Sequence, residues 1–339
     1  MNLRPRYPVF LATAAIALHP CLAMNMNRRT MIGRTAAATA AALAGTGATA
    51  IRAGEAAIAA PVLKGNIRHS VVSWPYQLFG EKWDLPTLCR RARELGATSV
   101  ELIGPDGWDT LAEFGLECAI SPNGMPGEPY VKGLNNPAYQ EEVIEITRRT
   151  IEAAAEAPVS VPAVIAFTGF QWRDVDDHSK GVIDPEEGAR NTVEGLKKLA
   201  AIAEPLGIEI HVEHLNSRVE GDNFRGHPGY QGDHIDYCAD IIRQVGSPSV
   251  KLLFDIYHVQ IMDGDLVSRI HEYGTDLIGH IHTAGVPGRG EMDPGQELNY
   301  PAIMQALVDV GYKGYVGHEF IPTRDPMEGL RQAVAVCDV

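Results

Sequence analysis

From residue 65 to the end of the chain, eight short apolar runs are interleaved with six amphipathic stretches. The strand candidates are 67–73, 98–103, 116–121, 163–167, 208–213, 250–255, 277–283 and 315–319. Between them, residues 84–95, 137–157, 185–204, 234–245, 265–273 and 300–310 carry apolar residues at helical spacing. Asp84, Asp184 and Asn299 stand where helices would begin, and Pro185 follows Asp184 at a first-turn position. Gly96, Gly207, Gly246 and Gly311 each follow the last apolar residue of a helical stretch and lead into the next strand. Strict alternation of this kind implies parallel strands joined by crossover helices. Eight such units in 275 residues fit the ~250 residues of a closed (β/α)8 TIM barrel. The expected fold is therefore α/β, with a single TIM-barrel catalytic domain over 65–339. An open doubly wound sheet would carry a glycine-rich phosphate loop after its first strand, where this chain has Ser73-Trp74-Pro75-Tyr76-Gln77.

The first 60 residues do not share the alternation, and their charge sets them apart. The chain has 29 basic and 43 acidic side chains, a formal charge of −14. Five arginines (Arg4, Arg6, Arg28, Arg29 and Arg34) fall in the first 50 residues, with no lysine and no acid. The remainder holds 24 basic and 43 acidic groups, a formal charge of −19. An acidic body of this kind repels phosphate backbones and anionic membrane surfaces, which argues against nucleic-acid partners. The head resembles a twin-arginine signal peptide. Arg28-Arg29 lie in Asn-Arg-Arg-Thr-Met-Ile, an Ala-rich apolar stretch follows at 35–43, and Ala48-Thr49-Ala50 and Ala57-Ile58-Ala59 both suit an A-x-A cleavage site. Met31 occupies the place of the consensus Phe. A second apolar run at 9–18 reads either as a Sec-type leader or as an over-extended start, with Met24 or Met26 as the initiator. The expectation is a cleavable or disordered signal segment over 1–60 that directs the folded protein to the periplasm, with a cytoplasmic location if the leader is not functional. No run reaches the ~20 apolar residues of a membrane span. Cys89, Cys118, Cys238 and Cys337 are scattered without a CxxC pair, so neither a zinc ribbon nor a redox motif is indicated, and Cys21 belongs to the leader.

In a TIM barrel, active sites lie at the C-terminal ends of the strands, so the last inward-facing residue of each strand is the informative one. Strand parity puts Glu209, His211 and Glu213 on one face, with Glu213 last. The next strand ends in Asp255, the next carries His280 and His282 with His282 nearer the exit, and the last ends in Glu319 with His318 turned away. Any one of these has a plainer reading, as a helix N-cap or a hydrogen-bonded interior histidine. Four consecutive strands ending in Glu, Asp, His and Glu change the argument. Three converging carboxylates would repel one another and resist desolvation, and a divalent cation would stabilise them all. Three oxygen ligands and an imidazole suit Mg²⁺, Mn²⁺, Co²⁺ or Zn²⁺ with coordination positions left for a small-molecule substrate. Glu101, inward-facing with Ser99, reads as a group behind the ligands or as a contact to a substrate hydroxyl, and Trp74 reads as an apolar wall of the pocket.

Across HVEHLNS, FDIYHVQIMDGD, GHIHTAGVPGRGE, ELNYPAIM and GYVGHEF, within residues 67–319, the chain resembles the hydroxypyruvate isomerase branch of the xylose-isomerase-like barrels. That group also includes ketose epimerases and inosose dehydratases. The resemblance implies Glu213, Asp255, His282 and Glu319 as metal ligands, Glu213 and Glu319 as the proton-transfer pair, and His258 and Arg289 as substrate contacts. It implies aldose–ketose isomerisation of a small hydroxy-carbonyl acid through an enediolate, with hydroxypyruvate going to 2-hydroxy-3-oxopropanoate (tartronate semialdehyde). Arg289 would pair with the substrate carboxylate. Thr283-Ala284-Gly285-Val286 lacks the Asp-Asn that the pattern carries before Pro287-Gly288-Arg289, His214 replaces a Pro, and Ser121-Pro122-Asn123-Gly124-Met125 lacks a Gly-Glu-Arg-Gly string. These departures bear on the substrate more than on the metal. A ketose 3-epimerase or an inosose dehydratase on the same metal site is the alternative enzyme. A metal nuclease is disfavoured by the acidic body, and an exported carbohydrate-binding barrel is the alternative without catalysis. Homo-oligomerisation is left open.

Overall fold

The computed structural model describes residues 62–221 and 224–339, so the leader reading for 1–60 lies outside the described residues. Among the described residues seven strands form: β1 Arg68–Val72, β2 Ser99–Glu101, β3 Ala163–Phe167, β4 Glu209–Glu213, β5 Val250–Asp255, β6 Ile278–Thr283 and β7 Tyr315–His318. They lie in the order β2-β1-β7-β6-β5-β4-β3, and every pairing is parallel. The eighth expected run does not make a full ladder. It meets β2 at Ser99↔Glu117 and β3 at Ser121↔Val164 through single parallel bridges, with Val100 N donating to Glu117 O (3.1 Å) and Ser121 N to Ala163 O (2.9 Å). Pro122 follows at once and has no N–H to continue the pairing. These bonds close the ring between β2 and β3, and the fold is the expected TIM barrel.

The helices among the described residues are α1 Ser73–Leu78, α2 Leu85–Glu94, α3 Trp108–Glu113, α4 Pro137–Ala155, α5 Pro185–Ala203, α6 Ile235–Val245, α7 Ile256–Met262, α8 Leu266–Leu277, α9 Tyr300–Asp309 and α10 Pro326–Cys337. The start signals act as expected. The Asp84 side chain accepts from Thr87 N at 2.9 Å, Asp184 from Glu186 N at 2.9 Å and Asn299 from Ala302 N at 3.4 Å. Gly207 (φ 68°) and Gly246 (φ 72°) take the left-handed conformation that ends a helix. Four helices were not expected. α1, α3 and α7 are too short to show a period, whereas α10 buries Leu330, Ala333, Val334 and Cys337, a helical spacing that the sequence does carry.

Two cores position the site. An outer belt packs the strands against the helices, with Leu88 and Ala92 of α2, Leu196 and Leu199 of α5, and Ile241 and Ile242 of α6 among its members. Inside the barrel the filling is divided. Ile120, Ala163, Ile165, Phe167 and Leu253 form an apolar cluster, while Ser70, Ser99, Glu101, His280 and His282 are buried polar residues. The four cysteines of the described residues are buried and unpaired, and no described helix is long and apolar enough to cross a membrane.

Candidate metal centre and active site

Each strand end delivers its side chain through an identifiable local structure. Asp255 closes β5, and α7 begins at the next residue. Its Oδ1 caps that helix, accepting from Tyr257 N (2.7 Å) and His258 N (3.3 Å), while its Oδ2 lies 3.4 Å from Arg289 Nη2. Glu213 ends β4 and pairs in register with Phe167. Asp255 stands beside His282 in the β5–β6 ladder. Glu319 follows β7, with its backbone N donating to Thr283 O (2.9 Å). Its Oε1 accepts from Trp74 Nε1 (2.8 Å), and its Oε2 accepts from Arg289 Nη2 (2.5 Å).

Ligand atoms from Glu213, Asp255, His282 and Glu319 all lie within 4.8 Å of one another, and all four residues are buried. His282 Nδ1 is 3.1 Å from Glu319 Oε2 and 3.5 Å from Glu213 Oε1. Neither His282 Nδ1 nor Glu213 Oε1 is aligned with any hydrogen-bond partner. Burial pushes Asp255 up to about 8; Arg289 opposes this, and the charges of Glu319 and Glu213 add to it. Burial also raises Glu213, opposed by the nearby His282 imidazole and helped by the Glu319 charge. Glu319 goes the other way, because Arg289 and His282 outweigh its burial and hold it well below the ordinary carboxylate value. For His282 burial lowers the pKa, but the Glu319 charge, the hydrogen bond to Glu101 and the nearby Glu213 raise it well above its usual value. Three buried carboxylates thus share two positive partners, with one carboxylate oxygen and one imidazole nitrogen left without a bond. This donor set suits a divalent ion such as Mg²⁺, Mn²⁺, Co²⁺ or Zn²⁺.

A cavity of about 410 Å³ opens onto this cluster. Its charged lining is Glu128, Glu213, Arg289 and Glu319, and its walls include Trp74, Leu102, Pro122, Tyr130, Phe167, Leu215, Phe224 and His227. The structure brings together the four expected ligands and Trp74, which is both a wall and a hydrogen-bond donor to Glu319. Arg289 lines the cavity but is committed to Glu319, Asp255 and Phe224 O (2.6 Å), with its guanidinium 5.3 Å from the ring centres of both Trp74 and Tyr257. His258 does not line the cavity. It is fully buried beside Asp255 (Nε2 to Oδ2 3.6 Å), and its Nδ1 accepts from Asn216 N (3.0 Å). Glu101 also lies away from the cavity, fully buried between His280 and His282. Glu101 is buried at the end of β2 as strand parity suggests, whereas His258 lies one turn after Asp255 on α7, and the depth of each is set by neighbouring elements. Tyr130, His227 and Phe224 were not anticipated. They come from loops that carry no period, and Tyr130 meets His227 edge-on with ring centres 4.4 Å apart.

Comparison with known proteins agrees with this fold. A family model described as xylose isomerase-like TIM barrel matches residues 89–338. The human protein named "Putative hydroxypyruvate isomerase" is 31% identical over 263 residues, covering 76% of this chain and 81% of that protein. The 2-oxo-tetronate isomerase of Pectobacterium atrosepticum is 30% identical over 259 residues, covering 73% of this chain and 91% of that protein. Among solved structures, the family 2 AP endonuclease from Brucella melitensis superposes with a TM-score of 0.65 at 26% identity, over 78% of this chain and 97% of its own.

Proposed function

The chain belongs to the xylose isomerase-like TIM-barrel family and is an isomerase, and from that premise we propose that it is a divalent-metal-dependent isomerase of a small hydroxy-carbonyl acid, with hydroxypyruvate as the first candidate substrate. The observation that carries the reading is the convergence of Glu213, Asp255, His282 and Glu319 beside one cavity. When bound there, a divalent ion supplies Lewis-acid polarisation of a carbonyl and stabilises oxyanion charge.

The chain's own residues do the rest. One of Glu213 and Glu319 takes the proton from the carbon that bears the hydroxyl, leaving an enediolate. The other delivers a proton to the former carbonyl carbon while the hydroxyl proton passes to the neighbouring oxygen, so the isomerisation is balanced without a redox partner. Trp74 Nε1 fixes the direction of the Glu319 carboxylate. Arg289 is the cationic group at the cavity that is suited to a substrate carboxylate. In reaching one it would exchange part of its present pairing with Glu319 and Asp255. The apolar walls keep water away from the reacting carbons.

The test is product analysis with hydroxypyruvate, a ketohexose and an inosose offered in parallel, with Mn²⁺ or Mg²⁺ added and after dialysis against a chelator. The proposal expects the semialdehyde product from hydroxypyruvate, loss of activity on chelation and recovery on metal addition. Activity that survives chelation, with no divalent ion found in the purified protein, would overturn it. The cavity volume favours one second reading, since about 410 Å³ accommodates a chain longer than three carbons. A ketose 3-epimerase would use the same ligands and the same two glutamates, and preferential turnover of the ketohexose would identify it.

A further inference from the structure

We propose that Glu101 is a positioning residue that presents His282 to the metal, and that Gly317 is the clearance that lets it do so. This rests on the metal reading of the four-residue cluster. Glu101 ends β2, whereas His282 lies on β6, and β1 and β7 stand between them in the sheet. The Glu101 side chain crosses that distance inside the barrel. Its Oε1 meets His282 Nε2 at 2.8 Å and His280 Nε2 at 2.9 Å.

Small residues mark the path. Ser70 of β1 and His282 of β6 both pair in register with Gly317 of β7. A Cβ on Gly317 would stand 2.2 Å from Glu101 Oε1 and 3.0 Å from His282 Cδ2. No side chain larger than hydrogen fits at 317 while Glu101 holds its bond.

The hydrogen bonds have a chemical consequence. An ionised carboxylate oxygen only accepts, so a proton must sit on Nε2 of both rings. In the neutral ring of His282 the lone pair is then on Nδ1, the nitrogen that faces Glu319 and Glu213. Without Glu101, the two carboxylates at Nδ1 would draw the proton there and leave no lone pair on the side that faces the cluster. Glu101 is an expensive residue for mere filling. It is fully buried, its Oε2 has no hydrogen-bond partner, and an apolar side chain would pack there at lower cost. A carboxylate behind a histidine, fixing its tautomer and raising its basicity, is the arrangement by which proteins hold an imidazole ready for a metal.

The test uses the full chain and Mn²⁺ or Zn²⁺ alone, with no substrate. Binding is followed by competition with a chelating dye, and folding by circular dichroism and thermal unfolding. Wild type is expected to bind one ion. Glu101→Leu and Gly317→Ala, which remove the acceptor and displace it respectively, are each expected to weaken binding about 10- to 100-fold. Glu101→Gln keeps an acceptor oxygen and should recover much of the affinity. In spectra of the Zn²⁺-loaded protein labelled with ¹⁵N-histidine, one histidine should be bound through Nδ1 with a proton on Nε2. That signal should be absent in His282→Gln and lost or altered in Glu101→Leu. Should Glu101→Leu destabilise the chain too far to purify, Gly317→Ala and the wild-type spectrum decide the matter. Unchanged affinity in folded Glu101→Leu or Gly317→Ala would overturn the proposal and leave the metal reading standing, as would a Zn²⁺-loaded wild type with His282 bound through Nε2. Two ions per chain would also overturn it, since Glu101 would then be a ligand itself. A wild type that binds no ion overturns the metal reading and this proposal together.

Discussion

Asp255 uses its two oxygens for two purposes, one capping α7 and the other facing Arg289 at the site. A carboxylate at a strand end is usually either a cap or a functional group; here the immediate strand-to-helix turn makes it both. Glu213 and Glu319 differ in their surroundings, one raised by burial and the other held low by Arg289 and His282, a separation that suits a pair exchanging acid and base roles. Glu213→Gln and Glu319→Gln are each expected to reduce kcat by about 10²- to 10⁴-fold with the fold retained. Near-full turnover in either variant would remove that residue from the proton relay. Trp74→Phe keeps the wall but removes the donor to Glu319 Oε1, and a charge-assisted hydrogen bond of this kind is worth about ten- to a hundredfold in rate. Steady-state kinetics should show the loss in kcat; an unchanged kcat would mean that Glu319 is oriented without Trp74. At this scale the residue types were legible, because a metal-competent group recurs at the ends of four consecutive strands. Which oxygen or nitrogen points where was not, since that depends on partners from other elements, such as Glu101 of β2 and Trp74 of α1.

At the scale of elements, the strands and six helices are readable because period and end signals agree, as at Asp184-Pro185 and Gly246. The failures have local causes. Segment 116–121 has apolar strand character but is held only by single bridges, and α1 and α7 follow their strands too closely to develop a period. Leu199 shows what the helical belt contributes. It is fully buried on α5 within the outer core, so Leu199→Ala should cost about 2–5 kcal/mol of unfolding free energy. Chemical denaturation would measure it, and a loss under about 1 kcal/mol would mean that the belt closes over the gap.

For the molecule as a whole, buried neutral histidines set the pH response. Burial pushes His69 and His214 down to about 4, and it lowers His258, His280 and His318 as well. In the unfolded chain these groups titrate near about 6.5. The unfolded state therefore binds more protons between those values, and stability present above about pH 6.5 is lost as the pH falls toward 4. His69 and His214 each contribute on the order of 3 kcal/mol over that window. Asp255, Glu213 and His282, shifted upward, act in the opposite sense but are outnumbered. The metal-free protein should thus show a lower denaturation midpoint at pH 5 than at pH 7.5, and equal midpoints would refute this account. A leader role for 1–60 makes a separate prediction: Arg28→Lys with Arg29→Lys should retain the full-length chain in the cytoplasm while wild type is recovered from the periplasm, as fractionation and blotting would show.

The sequence by itself determined the barrel, the helix boundaries with clear caps, the acidic body and the four groups that gather at the strand ends. Those features follow from period, parity and residue type, which are local properties of a chain. Tertiary structure alone decided that the barrel interior is half apolar and half polar, that Glu101 reaches from β2 to β6 across Gly317, and that His258 and Glu101 stand behind the cavity rather than in it. The physical reason is that these contacts join residues up to 181 positions apart. Strand parity gives the side of the sheet each faces, but only the closed ring and its register set the depth at which they meet.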